Sequence, residues 1–270
     1  MGFVDKLAGA VRRNHSLVCV GLDPDPALMP EGVSVLDFNK AIIDATSSLA
    51  CAYKPNLAFY EALGLEGMAA LAATVKHVPS YIPVIADAKR SDIGNTAKAY
   101  ARALFDYFGF DASTVNPYLG GDSVEPFLEY RDRGVIVLCR TSNAGAADFQ
   151  SLVCETDKGR HPLYEIVAAK AAQWNKHGNV GLVVGATYPE ELKTIRSTYR
   201  EMPLLIPGVG AQGGDLTLTV RYGVDTKAER TIINSSRGII YAARGRDFAE
   251  AAARAASVLR EQINQELGRK

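Results

Sequence analysis

The sequence carries no net charge and has few cysteines, few histidines and no long apolar run. Lys plus Arg and Asp plus Glu both number 30 in 270 residues, so no overall field draws the chain to nucleic acid or to an anionic membrane. No apolar run reaches the roughly 18 residues that a membrane-spanning helix needs. The N-terminal residues lack the apolar core of a signal peptide. We therefore expect a cytoplasmic protein that binds neither nucleic acid nor membrane.

The four cysteines are too few and too scattered for a disulfide framework or a zinc site. Three of them lie in apolar runs that resemble strands. We expect all four to be buried free thiols in a reducing compartment. In chain order they are Cys19, Cys51, Cys139 and Cys154.

Short runs rich in β-branched residues alternate with longer amphipathic stretches along the whole chain. Continuous apolar strands separated by helices indicate parallel strands that are buried on both faces. The predicted strands are 17–22, 51–55, 82–89, 112–117, 135–141, 180–185, 204–208 and 231–235. The predicted helices are 35–49, 57–76, 92–108, 122–131, 163–176, 189–199, 215–222 and 248–267. Eight such units favour a single-domain (β/α)8 barrel over 1–270, and the alternative is an open doubly wound sheet.

One long irregular segment, 143–161, follows the fifth predicted strand and is rich in Ala, Gly, Asp and Gln. It is interpreted either as a mobile loop over the site or as a solvated insertion. No linker or low-complexity stretch divides the chain into two domains.

In a barrel of this type, functional groups gather at the carboxyl ends of the strands. The third predicted strand ends in Asp87 and Lys89, which are two residues apart and should point to the same side. Asp92 follows at the start of the next helix, with Ser91 as a plausible N-cap and Thr96 one turn later. This spacing predicts a lysine flanked by two carboxylates.

Lys54 and Asp23 end the two preceding strands, so the predicted mouth carries alternating charges. Such an array is costly to desolvate for structural reasons alone, which favours a catalytic role. Schiff-base chemistry needs a neutral amine, whereas flanking carboxylates keep the ammonium of Lys89 charged. Lys89 is therefore suited to donate a proton and to stabilise a developing carbanion. Carboxylate-bound Mg²⁺ stays possible, because Asp87 and Asp23 are oxygen ligands.

Glycine-rich and basic segments end the last two strands, where barrels commonly bind phosphate. Arg237 and Gly238 follow the eighth strand, and the guanidinium suits phosphate oxygens. The segment 208–213 also fits the dinucleotide pattern G-x-G-x-x-G. That interpretation is disfavoured because the next strand does not end in an acidic residue, and Glu229 lies before it. None of the four histidines ends a predicted strand, which argues against histidine catalysis or histidine metal ligands.

The motif Asp87-x-Lys89-x-x-Asp92-Ile93-x-x-Thr96 resembles the signature of orotidine 5'-monophosphate decarboxylases, in their longer bacterial branch. The resemblance extends over nearly the whole chain, through five further motifs in the same order. These are Val20-Gly21-Leu22-Asp23, Tyr53-Lys54-Pro55-Asn56, Thr141-Ser142-Asn143, Gly208-Val209-Gly210-Ala211-Gln212-Gly213-Gly214 and Ser235-Ser236-Arg237-Gly238.

The resemblance implies a cofactor-free conversion of orotidine 5'-monophosphate (OMP) to UMP and CO2. It implies that Lys89 protonates pyrimidine C6, that Asp87 lies beside the substrate carboxylate, and that Lys54 and Asp23 bind ribose. It further implies a homodimer with shared sites. The residues expected from the partner chain are Asp92, Ile93 and Thr96.

For the remaining substrate contacts, the resemblance implies that Ser142 hydrogen-bonds the pyrimidine and that Gln212 and Arg237 bind the phosphate. The glycines assigned to the phosphate loops are Gly208, Gly210 and Gly238.

Two alternatives remain at this point. The first is a Mg²⁺-dependent 3-keto-L-gulonate 6-phosphate decarboxylase or hexulose-phosphate synthase, which shares the Asp-x-Lys-x-x-Asp core. Those enzymes resemble this chain less at Ser142, Gln212 and Lys54. The second is a non-catalytic phosphate-ligand sensor, which would be expected to have lost the charges that are present here.

Overall fold

The computed structural model describes residues 1–157, 159–209 and 213–269, and within them eight parallel strands form one sheet. In chain order these strands are β1 Val18–Leu22, β2 Ala52–Pro55, β3 Ile85–Arg90, β4 Ala112–Val115, β5 Gly134–Arg140, β6 Val180–Val184, β7 Leu204–Pro207 and β8 Thr231–Ser235. Every predicted strand is confirmed, with ends that differ by at most a few residues.

The sheet curves into a nearly closed barrel. Its strands run in the order β2-β1-β8-β7-β6-β5-β4-β3, and the two ends of that order meet through isolated parallel bridges. The bridges pair Tyr53 with Val84 and Asn56 with Asp87. This closure confirms the barrel and shows that the doubly wound alternative is wrong.

Helices surround the strands and cover their outer faces. They are α1 Phe3–Asn14, α2 Val35–Thr46, α3 Leu57–Glu61, α4 Gly64–His77, α5 Gly94–Arg102, α6 Gly121–Leu128, α7 Leu163–Trp174, α8 Pro189–Thr198, α9 Leu216–Gly223, α10 Arg237–Ile240 and α11 Phe248–Glu266. A π-helical turn, Ala103–Tyr107, continues α5. None of the helices in the described ranges combines the length and the hydropathy needed to cross a membrane.

The layer between the strands and the surrounding helices is apolar. All five residues of β1 and all five of β6 are buried, as expected for strands covered on both faces. Helix α1, which was not predicted, packs against the amino-terminal end of the barrel. A Cβ on Gly134 would lie 2.4 Å from the ring of Phe3, so the start of β5 touches α1 directly. Lys6 of α1 also pairs with Asp111 at 2.8 Å.

Three helix and loop predictions need correction. The helix expected at 57–76 is two helices, because Gly64 has a left-handed backbone (φ 64°) that interrupts α-helical geometry. The helix expected from Asp92 begins at Gly94. Ser91 does not cap it, since its hydroxyl is buried without a hydrogen-bond partner in the described chain.

The segment 143–161 is also more ordered than predicted. It contains a 3-10 turn, Ala144–Asp148, and an antiparallel hairpin formed by Val153–Thr156 and Gly159–Pro162. The hairpin escapes sequence reasoning because its residues are all exposed or half-buried and form no apolar run.

Candidate active site

Three charged side chains from β2 and β3 form a continuous row at the barrel mouth. The Asp87 carboxylate lies between two lysines, with Oδ2 at 2.8 Å from Lys54 Nζ and Oδ1 at 2.5 Å from Lys89 Nζ. The Lys54 side chain is 6% exposed and that of Asp87 12%, whereas that of Lys89 is 49% exposed. Two buried charges thus hold a third charge that solvent and a ligand can reach.

The row is electrostatically self-consistent. Burial alone would raise the pKa of Asp87, but the two lysines outweigh it and hold the pKa of the carboxyl well below its usual range. Burial would likewise lower the pKa of Lys54, but Asp87 and then Asp23 raise it above its ordinary value. Asp87 and Lys54 are therefore both ionised at neutral pH.

Asp23 extends the charge array beyond the row. Its charge acts on Lys54, yet it forms no ion pair with Lys54 in the described chain. The Asp23 Oδ1 atom is buried and has no hydrogen-bond partner in the same residues. Leaving a buried carboxylate oxygen unpaired is costly, so this position is unusual for a residue with a purely structural role.

The backbone of β3 departs from a regular strand at Lys89. Lys89 has a left-handed φ of 48°, which is uncommon for a residue with a Cβ, and the pairing of β3 with β4 shifts register between Ala86 and Arg90. The expected meeting of Asp87 and Lys89 is found, but this irregular backbone, rather than strand alternation alone, brings them together.

Thr114 of β4 supports this irregular segment and was missed by sequence reasoning. Its Oγ1 accepts hydrogen bonds from the backbone N–H groups of Ala88 and Lys89, both at 3.0 Å. The same hydroxyl lies 3.2 Å from Asp87 Oδ1, to which it can donate. Its place one residue before the end of a neighbouring strand was the available signal.

Ser142 follows β5 and sits against the end of β6. A Cβ on Gly185 would lie 2.8 Å from the Cβ of Ser142, so only glycine permits this close approach. The Ser142 carbonyl accepts a hydrogen bond from Thr187 Oγ1 at 3.2 Å. The loop that carries Ser142 is thereby fixed to the next strand end.

The buried guanidinium of Arg140, at the end of β5, supports the same loop. The Arg140 side chain is 2% exposed, pairs with Glu191 of α8 and lies 3.7 Å over the ring of Tyr188. Gln150, from the inserted segment, accepts the backbone N–H of Thr141 at 2.8 Å and donates to its Oγ1 at 2.9 Å. Part of the insertion therefore braces the end of β5.

The two ends of the glycine-rich segment after β7 meet. Gly208 has a φ of 95°, and its carbonyl accepts the N–H of Gly214 at 3.0 Å. The predicted phosphate ligand Gln212 and the loop glycine Gly210 lie outside the described residues.

Arg237 and Gly238 begin α10 directly after β8, and both are exposed. The Arg237 guanidinium forms no ion pair or hydrogen bond within the described ranges. Ser236, just before it, touches β1 so closely that a Cβ on Gly21 would fall 1.8 Å from its Oγ. The β1 and β8 ends of the mouth therefore pack directly against each other.

Asp92, Ile93 and Thr96 lie apart from the charge row of their own chain. Asp92 Oδ1 accepts the backbone N–H of Ile93 at 2.8 Å, and no ion pair joins Asp92 to Lys89 in the part of the chain described. Ile93 is 59% exposed and Thr96 is exposed. The expectation of a second carboxylate beside Lys89 is therefore not met within one chain.

Comparison with known proteins identifies the family. The sequence profile of the orotidine 5'-phosphate decarboxylase / HUMPS family matches residues 16–254. The chain belongs to this family. A relative from Dehalococcoides mccartyi (strain ATCC BAA-2266 / KCTC 15142 / 195), named orotidine 5'-phosphate decarboxylase, is 56% identical over 264 residues, which is 98% of both chains. Relatives at this level of identity are named orotidine 5'-phosphate decarboxylase, which is a carboxy-lyase, and the chain is an enzyme of that class.

Solved structures agree with this placement. The Leishmania donovani OMP decarboxylase is 41% identical with a TM-score of 0.86, and the match covers 98% of this chain and 99% of that one. The UMP synthase of the same organism is 43% identical with a TM-score of 0.87. There the match covers 98% of this chain but 56% of the longer one.

Proposed function

We propose that this protein decarboxylates OMP to UMP in pyrimidine biosynthesis, using Lys89 as the proton donor and neither a metal nor an organic cofactor. Family membership supports the overall reaction. The observation that carries the mechanism is the Lys54–Asp87–Lys89 row, in which a buried carboxylate is held charged beside an accessible ammonium. The buried cation beside this carboxylate is the Lys54 ammonium.

In the proposed step, the bond between pyrimidine C6 and the carboxylate breaks and CO2 leaves. The electron pair stays on C6, and the Lys89 ammonium transfers a proton to that carbon. The resulting neutral amine then regains a proton from water. Barriers of this kind can require about 20 kcal/mol of differential stabilisation, which a fixed array of charges can provide without reorganising. Asp87 would lie beside the substrate carboxylate.

The remaining contacts would hold the substrate by groups that do not react. Asp23 and Lys54 would bind the ribose hydroxyls, and the action of the Asp23 charge on Lys54 supports their common role. Ser142 would contact the pyrimidine edge. Gln212 and Arg237 would bind the phosphate, and the exposed guanidinium of Arg237, which has no partner among the described residues, supports its part. Binding energy from the ribose and the phosphate can then lower the barrier at C6.

The ultraviolet absorbance of OMP mixed with purified protein tests the reaction, because conversion to UMP changes the pyrimidine chromophore. Dialysis against a strong chelator should leave the rate unchanged. Activity that is lost on dialysis and restored by Mg²⁺ would instead favour metal-stabilised chemistry of the hexulose-phosphate type.

Lys89→Ala tests the proton donor, and it should abolish turnover in a folded protein. Lys76→Ala, at the exposed end of α4 on the opposite side of the barrel, is the matched control and should keep full activity. Lys89 would not be the essential acid if Lys89→Ala retained more than about a tenth of the wild-type kcat. Such a result would mean that the substitution raises the activation free energy by less than about 1.4 kcal/mol.

We also infer a homodimer in which Asp92, Ile93 and Thr96 serve the partner's site. The Asp92 carboxylate is not used by its own charge row, and Ile93 exposes an apolar surface beside it. The loop after the neighbouring strand β4 carries two more exposed apolar residues, Tyr118 at 80% and Leu119 at 49%. Exposed apolar groups in two adjacent loops suit a protein–protein interface.

Mixing two inactive variants tests the shared site. Lys89→Ala and Asp92→Asn are unfolded together and refolded in equal amounts. In a two-fold dimer, each mixed dimer has one site with both defects and one with neither, so about a quarter of wild-type activity should return. If Asp92 serves its own chain, every site keeps one defect and the mixture stays inactive.

Two wider inferences accompany this function. All four cysteines are unpaired thiols, which favours the reducing conditions of the cytoplasm. Residues 1–270 would form a single barrel domain. Limited proteolysis that released a stable fragment would contradict the second inference.

A further inference from the structure

The hydroxyl group of Tyr241 ties two loops of the barrel mouth together. Tyr241 directly follows α10, the short helix that begins at Arg237. Its hydroxyl donates to the carbonyl of Asp23 at 2.8 Å and accepts the N–H of Asp25 at 2.5 Å. One oxygen atom therefore holds both ends of the turn Asp23–Asp25 that follows β1.

The same residue is fixed on its other sides. Its backbone N–H donates to the carbonyl of Arg237 at 3.2 Å, so the hydroxyl and Arg237 move with the same short helix. Its ring stacks on Phe38 of α2 with centroids 5.8 Å apart. Burial and the carboxylates of Asp25 and Asp23 raise the pKa of Tyr241, while the bond from Asp25 opposes them, so the hydroxyl keeps the proton that it donates.

These contacts join the loops that follow β1 and β8, beyond the point where the two strands pair at Val20 and Ser235. A further contact at the mouth is the close approach of Gly21 to Ser236, where no side chain fits. Strand pairing and the Gly21 contact set how near the strand ends lie. The Tyr241 contact fixes the loops beyond them, which carry Asp23 and Arg237.

We propose that Tyr241 is a positioning residue that sets the distance between the ribose-binding and phosphate-binding groups of the site. This inference rests on the proposed roles of Asp23 and Arg237. A ribose 5'-phosphate has a short span, so binding both of its ends requires two protein groups at a fixed separation. Rigid spacing removes an ordering cost that would otherwise be paid on binding.

Tyr241→Phe removes only the oxygen atom and keeps the ring on Phe38. We expect the Kd for UMP to rise about tenfold, because the loops that the two hydrogen bonds held must then be ordered when UMP binds, while kcat changes less than threefold. Tyr81→Phe is the matched control, because the Tyr81 hydroxyl also donates to a backbone carbonyl, that of Ser47 at 3.2 Å, but near the opposite end of the barrel. It should leave UMP binding unchanged.

Coupling to Arg237 separates positioning from a purely structural role. In the wild-type protein Arg237→Ala should weaken UMP binding strongly, and in the Tyr241→Phe background the same change should cost several-fold less. In the Tyr81→Phe background its cost should be undiminished. Titration calorimetry is done well below each variant's unfolding midpoint, so that loss of fold is not read as loss of binding.

Failure of the positioning role and failure of the proposed decarboxylase function give different results. Unchanged UMP binding in Tyr241→Phe, or an equal cost of Arg237→Ala in both backgrounds, would overturn the positioning role alone. A wild-type protein that binds UMP but leaves OMP intact would overturn the decarboxylase proposal and still allow this test. A wild-type protein that does not bind UMP would overturn both.

Discussion

Removing the Lys54 charge should destabilise the protein more than removing Lys54 and the charge of Asp87 together. Asp87 is 12% exposed and depends on two cations, of which Lys54 is the buried one. In Lys54→Met, Asp87 keeps only Lys89, whose side chain is half exposed and contributes about 1 kcal/mol or less. Breaking a buried pair from one side costs about 3–5 kcal/mol, so we expect a loss near the lower limit, about 3 kcal/mol at pH 7.

Lys54→Met/Asp87→Asn should recover most of that loss, because no unpaired buried carboxylate is left. The amide has the shape of the carboxylate and can still accept a bond from Thr114. We expect the double variant to lie within about 1 kcal/mol of the wild-type protein. Both variants should decarboxylate OMP at least about 10²–10³ times more slowly than the wild-type protein, since removal of one preorganised charge commonly costs that much in rate.

Urea unfolding midpoints give the stability order, and OMP absorbance gives the activity. Lys6→Met is the matched control, since Lys6 pairs with Asp111 at 2.8 Å near the opposite end of the barrel with 17% of its side chain exposed. It should lose stability and keep kcat. Equal midpoints for the single variant, the double variant and the wild-type protein would refute the argument, because they would show that Lys54 does not hold Asp87.

Three further outcomes follow from the geometry. Arg237→Ala should weaken phosphate-bearing substrates by about 10- to 100-fold and leave the bare nucleoside orotidine unaffected, as measured by KM. Gly21→Ala should lower both kcat/KM and the urea midpoint, because a Cβ would overlap Ser236, whereas Gly9→Ala, with open space in α1, should raise the midpoint slightly. The lowered pKa of Asp87 gives stability that is present above the unfolded value of about 4 and is lost as the pH falls toward the folded value, so Asp87→Asn should flatten acid unfolding below about pH 4.

The barrel could be predicted because its signals are local. Runs such as Val18–Leu22 and Val180–Val184 are apolar throughout, and strands covered on both faces require that pattern. The rule that function gathers at the carboxyl ends of strands predicted Lys54, Asp87 and Lys89 as site residues, and the structure places their side chains in contact. Helix α1 and the hairpin beginning at Val153 were missed, since one precedes the repeating pattern and the other has no apolar run.

The support of the charge row could not be predicted in the same way. The left-handed backbone of Lys89 depends on hydrogen bonds from Ala88 and Lys89 to Thr114, a residue 25 positions away from Lys89. A threonine in a strand is ordinary by sequence, because β-branched residues are common in strands. Its role arises only when β4 lies beside β3, which is a property of the sheet order.

The Asp-x-Lys-x-x-Asp spacing does not by itself say whether Asp92 lies beside Lys89 of the same chain. The sequence suggested that Asp87 and Asp92 would both flank Lys89, yet only Asp87 does so within the described chain. Between Lys89 and α5 the chain leaves the strand, and Asp92 bonds to the next backbone N–H instead. Helix α5 then begins at Gly94, whose φ of 53° suits glycine, and it carries Thr96 on an exposed turn. The same spacing is therefore compatible with a residue of its own site or of a neighbour's, and the mixing of Lys89→Ala with Asp92→Asn distinguishes the two arrangements.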